Sequence, residues 1–180
     1  MTMLFESSSR KKILFLAPRT PWPPDKGDKI RTCHQLRFLA LRHDVYAAFF
    51  VDDPADMRHV DSIRDMCRDV IAIPWMRRAA AVRAGRALFT GKSLTLAAYH
   101  VDVMTAARGE WSERHSFYGV TAFSSCVAPY ALNVSAERRV LDLCDVDSAK
   151  WGAYSRRLAL SSIPYAIESR RLAAFEQACV

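Results

Sequence analysis

Short apolar runs separated by stretches of helical period constrain this chain more than any other feature of its sequence. KILFLA, Lys12 to Ala17, is brief, apolar and bounded by polar residues, the signature of a buried strand. DVYAAFFV, Asp44 to Val51, repeats it, and Val70–Ile73, Tyr118–Ser124 and Arg139–Leu143 read as further strands. Between the first two, Ile30, Cys33, Leu36 and Ala40 recur at three- and four-residue steps, so a helix is predicted from Asp28, its expected cap, to near His43. Asp52, Asp53 and Pro54 then break the second strand, and Met57, Val60, Ile63, Arg64 and Cys67 have the spacing of a second amphipathic helix.

The pattern continues downstream. A basic, alanine-rich segment from Arg77 to Phe89 reads as a helix closed by Gly91, and Val101–Arg114 as another. Ala128–Leu132 forms a short helical turn, a helix starts near Ala149, and a last one starts at Ser162 with Pro164 in its first turn and Leu172, Phe175 and Cys179 on one face. Strands alternating with helices require right-handed crossovers, hence a parallel sheet covered on both faces: a doubly wound, Rossmann-like α/β domain. Its ligands belong beyond the carboxyl ends of the strands, where loops starting at Pro18, Asp52, Pro74, Ser124 and Asp142 gather. The chain divides into a flexible tail (1–11), this domain (12–161) and a helix (162–180) that leads towards a further domain.

Charge narrows the partners. Lys and Arg outnumber Asp and Glu by 26 to 19, which favours anionic partners, and the window from Asp69 to Asp102 holds Arg77, Arg78, Arg83, Arg86 and Lys92 with no acid between its ends. That segment is an expected peripheral contact with anionic membrane. The first residues, MTMLFESSSRK, have no basic region followed by a long apolar one, and the run Val45–Val51 is too short to span a bilayer, so the expectation is a cytoplasmic protein. Five cysteines at wide spacings, with no CxxC pair, fit neither a disulfide framework nor a zinc knuckle. The histidines, likewise scattered, have no ligand spacing, and no metal is expected.

Three stretches carry candidate chemistry. In PRTPWPPDKGDKIR, prolines stiffen the approach to a helix start where free N–H groups favour an anion, Gly27 permits close backbone approach, and Lys26, Lys29 and Arg31 add positive charge. One glycine is no GxGxxG fingerprint, although Asp52 and Asp53 stand where a ribose-binding acid would, which keeps a nicotinamide enzyme as an alternative. In LDLCDVDSAKW, Asp142, Asp145 and Asp147 leave a strand end and suit a base, sugar hydroxyls or, as a DxD pair, a divalent metal; Asp147 or Ser148 also suits a helix cap. In FSSCVAP, Ser124 and Ser125 can donate hydrogen bonds to a ligand, but no GxSxG elbow marks a hydrolase nucleophile.

PPDKGDKIR near the start, with FSSCVAPY and DVDSAKW far downstream, resembles the amino-terminal half of a family-4-type glycosyltransferase. More narrowly it is similar to the sugar transferases associated with PEP-CTERM/exosortase systems and exopolysaccharide biosynthesis. The resemblance implies a GT-B enzyme that retains anomeric configuration and uses a nucleotide-diphosphate sugar as donor without a further cofactor. Its acceptor is a polysaccharide or a lipid-linked glycan, not nucleic acid. It implies that Lys26, Gly27, Asp28 and Lys29 face the donor diphosphate and that Asp145 and Asp147 are catalytic. Arg19, Ser124, Ser125 and Ser148 would contact the acceptor. The donor-binding half would lie outside these residues, leaving this chain alone inactive. Alternatives are a GT-A enzyme holding manganese on Asp145 and Asp147, the nicotinamide enzyme, and a non-catalytic module of the same fold.

Overall fold

A computed structural model describes residues 10–156 and 162–179. Five parallel strands, β1 (Lys12–Ala17), β2 (Asp44–Val51), β3 (Asp69–Pro74), β4 (Phe117–Phe123) and β5 (Ala136–Asp142), pair in the order β3-β2-β1-β4-β5. The helices are α1 (Gly27–Ala40), α2 (Val60–Arg64), α3 (Arg77–Thr90), α4 (Leu94–Tyr99), α5 (Asp102–Arg114), α6 (Ala128–Leu132), α7 (Asp147–Ser155) and α8 (Ile163–Ala178). A 3₁₀ turn, Pro54–His59, precedes α2.

Strands β1 and β2 at the centre of the sheet are buried on both faces, which is why they read as unbroken apolar runs rather than alternating ones. Leu14, Leu16, Tyr46, Ala48 and Phe50 pack with Met104 and Trp111 of α5 and Tyr130 and Ala131 of α6. Phe15, Ala17, Val45, Ala47 and Phe49 point the other way, onto Leu36 of α1 and Val60 and Ile63 of α2. The expected doubly wound α/β fold is therefore present. No helix among the described residues is long and apolar enough to cross a membrane.

Several local expectations change. The cap of α1 is Lys26, without a side-chain cap bond, and Asp28 sits in the first turn. The buried face of α1 is Lys29, Thr32, Cys33 and Leu36, while Ile30 is exposed, because the buried ammonium of Lys29 finds carboxylates to pair with. Met57 is likewise exposed. Gly91 closes α3 as expected, in the left-handed conformation with φ 73°. The short helix α4 went unpredicted; Ser93 caps it by accepting from the Leu96 N–H.

Helix α8 packs on this domain. It lies along α7, and Gly152 permits the approach: a Cβ there would stand 3.0 Å from Ser169 Oγ. Its buried stripe is Glu168, Leu172 and Glu176 rather than Leu172, Phe175 and Cys179. Two buried glutamates hide such a stripe from any hydrophobic count. Residues 1–9 of the expected tail and 157–161 of the expected domain lie outside the described residues. Arg10 and Lys11 are tied down, Arg10 by an ion pair to Asp44 at 3.0 Å and Lys11 through its carbonyl, which accepts from the Asp44 N–H.

Candidate functional site

The strand order reverses between β1 and β4, and at the carboxyl end of that seam lies a cavity of about 480 Å³. Arg19 and Asp28 enter it from the first loop and α1, Ser124 and Cys126 from the end of β4, and Asp145, Asp147, Lys150 and Trp151 from the end of β5 and α7. Five residues singled out from the sequence, Arg19, Asp28, Ser124, Asp145 and Asp147, thus share one cavity although they are scattered over more than a hundred positions.

The arrangement is held by charge and hydrogen bonds. Asp147 Oδ2 accepts from Ser124 Oγ at 3.0 Å and Ser125 Oγ at 2.9 Å. Asp147 therefore does not cap α7; the cap position is Val146, and the carboxylate in the first turn benefits from the helix dipole while turned to the serines. Ser124 adopts φ 76°, uncommon for a residue with a Cβ, where the chain leaves β4 and turns towards α6. Its N–H donates to the Asp142 carbonyl at 2.8 Å, which fixes the turn against β5. Arg19 is oriented by two carboxylates, Asp28 Oδ2 and Asp52 Oδ2, each at 3.1 Å. The other oxygen, Asp52 Oδ1, is buried without a hydrogen-bond partner.

Other expected residues stand outside the cavity lining. Lys29 is 1% exposed, and its ammonium lies 2.7 Å from Asp56 Oδ2 and 3.2 Å from Asp25 Oδ1. Burial alone would lower its pKa, but bonds from Asp56 and Asp25 outweigh this and raise it, so the lysine is a charged anchor beneath the loop rather than a free diphosphate contact. Arg31 is engaged too: its Nε and Nη2 donate to the two carboxylate oxygens of Asp142 at 3.0 and 3.1 Å. Ser125 is fully buried behind Asp147, and the hydroxyl of Ser148 bonds to Glu176 Oε2 from α8, which leaves neither facing a ligand. Lys26 is exposed, and Gly27, at the uncapped start of α1, has nothing within 4 Å of where a Cβ would stand. No packing among the described residues needs glycine there.

Sequence reasoning missed Thr95 and Tyr99 and gave no role to Phe123, Cys126 and Cys144, although these three lie in the FSSCVAP and LDLCDVDSAKW stretches. Trp151, quoted in the DVDSAKW motif but given no role, is stacked on Tyr165 of α8 with ring centroids 5.6 Å apart, its plane held by a helix remote in sequence. Burial pushes the Cys126 thiol up to about 12 and raises the Tyr99 hydroxyl, so both stay neutral in the wall of the cavity. The adjacent Asp–x–Asp pair brings two carboxylates to the cavity, but no group of three or more His, Cys, Asp or Glu side chains among the described residues is placed to hold a metal ion. Of the acids considered for a ribose, Asp52 is bound to Arg19 and Asp53 caps the 3₁₀ turn through the Ala55 N–H.

The fold and cavity define a doubly wound α/β domain with a polar crevice at its strand-order switch point. Comparison with family models, with curated proteins and with solved structures finds no match to this chain.

Proposed function

We propose that this domain is the acceptor-side half of a glycosyltransferase that moves a sugar from a nucleotide diphosphate to a polysaccharide or lipid-linked glycan. The observation that carries the reading is the placement of Asp147, its carboxylate fixed by Ser124 and Ser125, beside Asp145 and Trp151 in the switch-point cavity. The charged lining is Arg19 and Lys150 against Asp28, Asp145 and Asp147, an acidic balance that disfavours a diphosphate and suits a neutral, hydroxyl-rich ligand. Carboxylates accept sugar hydroxyls, and the indole of Trp151 offers an apolar face to a pyranose ring.

In this reading Asp147 accepts the proton of the acceptor hydroxyl or orients it for attack, and Asp145 binds a neighbouring hydroxyl. Ser124 and Ser125 hold the Asp147 carboxylate in position. In this reading the donor diphosphate stands outside the acidic cavity, towards the uncapped N-terminus of α1, where Lys26 and Gly27 are exposed. A second domain would bring it there.

The test is sugar transfer by the full-length protein from nucleotide-diphosphate sugars to glycan primers. Asp147→Asn is expected to lower kcat about 100-fold or more with little change in donor KM. Glycan titration of the labelled domain should shift the amide signals of Thr95, Ser124, Lys150 and Trp151. Wild-type turnover preserved in Asp147→Asn, or glycans that shift only signals elsewhere, would sink the proposal.

A further inference from the structure

The acid-free window between Asp69 and Asp102 folds into a cavity of its own. After Gly91 the chain turns back, so α4 packs on α3, and Arg83, Arg86 and Lys92 converge with Arg171 of α8 around a space of about 620 Å³. Among the described residues no Asp or Glu lines it. Arg77 and Arg78, at the start of α3, are not part of it. The walls are largely apolar, with Leu96, Tyr130, Ala174 and Phe175 prominent among them. Its volume is in the range that encloses most of a drug-sized molecule.

Two of its cations are set in position and two are free to reach. Arg83 donates from Nε and Nη2 to the Ala98 carbonyl at 3.2 and 2.6 Å. Arg171 donates to the carbonyls of Ala87, Leu88 and Lys92, where it satisfies the carboxyl end of α3. Arg86 and Lys92 are exposed, and their side chains make no hydrogen bond or ion pair with another described residue. A buried acid, Glu168, lies behind Ser93 and is committed to the Ser93 hydroxyl and the N–H groups of Leu94 and Thr95. Like charges around an apolar hollow repel one another unless an anion sits among them, and guanidinium groups match phosphate geometry.

We propose that this cavity binds a phosphate ester carried on an apolar body, the phosphate between Arg83, Arg86 and Lys92 and the apolar part against Leu96, Tyr130 and Phe175. The site is distinct from the switch-point cavity, from which Tyr99 and Cys126 divide it, and its charge does not depend on sugar transfer next door. A soluble phosphate ester and the head group of a bilayer phospholipid share this chemistry.

Calorimetric titration with monomeric decyl phosphate, decyl glucoside and inorganic phosphate reads it directly. Decyl phosphate is expected to bind once per chain and about tenfold or more tightly than either control, with affinity falling as salt rises. Arg86→Glu should weaken it about tenfold by changing charge alone, and Ala174→Trp should weaken it at least as much by filling the cavity with charge unchanged. Both residues are exposed, and thermal melts check that each variant folds. Equal binding of decyl glucoside, or an Ala174→Trp variant that folds and binds as wild type, would overturn the proposal. Sedimentation with phosphatidylglycerol but not phosphatidylcholine vesicles, sensitive to both substitutions, would assign the site to a lipid head group; decyl phosphate binding without vesicle binding would assign it to a soluble ester. Binding of neither overturns it.

Discussion

Two cavities share a wall of Tyr99 and Cys126 and otherwise have little in common. The switch-point cavity is built by loops at strand ends, and several of its polar groups are held by other side chains: Arg19 by Asp28 and Asp52, Asp147 by Ser124 and Ser125. The basic cavity is built mainly by helices α3, α4 and α8 against Tyr130 of α6, and its cations are paired with backbone carbonyls or with no described residue. Strand-end loops inherit their position from a sheet with hydrogen bonds along every strand. Three helices have no such scaffold and rely on the side chains that dock them.

The largest expected effect tests the foundation of the first cavity. Lys29→Ala strands Asp56 without its buried partner and should cost about 3–5 kcal/mol, read as a fall in Tm, because an uncompensated charge is left beneath the loop that carries Arg19. The same pair has a pH signature. The Lys29 pKa is raised on folding, so its contribution is full below the ordinary lysine range and is lost as pH climbs through the raised value. Alkaline unfolding should therefore be less steep in Lys29→Met, where that group no longer titrates. An unchanged alkaline profile would show that the pair is not coupled to folding.

A middle-sized effect tests the second cavity. Glu168→Ala removes the carboxylate that receives the Ser93 hydroxyl and the first N–H groups of α4, at a cost of about 2 kcal/mol. Hydrogen exchange should rise about 30-fold in α4 and the facing part of α8 and stay unchanged in β1, β2 and β4. Uniform acceleration across the sheet would erase the contrast between the two foundations.

The smallest effect concerns the backbone under Asp147. Ser124 has φ 76°, so Ser124→Gly should be about 1 kcal/mol more stable than Ser124→Ala, both variants having lost the hydroxyl. Equal stabilities in denaturant titrations would mean that the turn shifts to relieve the strain.

Legibility followed the physics of each element. β1 and β2 match their predicted bounds because a strand buried on both faces needs an apolar residue at nearly every position. Helix α3 and its Gly91 stop were equally readable, since the left-handed cap selects glycine. Helix α4 is short, and beyond its Ser93 cap, itself bonded to a glutamate from α8, nothing local announces it. The buried face of α1 was misread at Ile30 because a lysine occupies the place where a pattern counter expects an aliphatic residue.

Within the candidate site, Ser124, Asp145 and Asp147 could be nominated because each follows a strand and strand ends in a parallel sheet converge, and Arg19 and Asp28 because of the family resemblance. Lys29, Arg31, Ser125 and Ser148 were nominated on the same ground and turned out to have partners in the chain: Asp56, Asp142, Asp147 and Glu176. Which charged group faces a ligand and which one faces another side chain is decided by distances of a few ångströms between segments far apart in sequence.

The amino-acid sequence by itself determined the alternation of strands and helices, hence the doubly wound sheet and the end at which its loops meet. These follow from local period and from the handedness of the crossover. Only the tertiary structure decided that α8 closes the domain through Glu168, Arg171 and Glu176 and that an acid-free stretch encloses a basic cavity. It also decided that Asp147 leans on two serines instead of capping its helix. Hydrophobic burial is written in composition and spacing, whereas the pairing of buried charges depends on which segments are brought within reach.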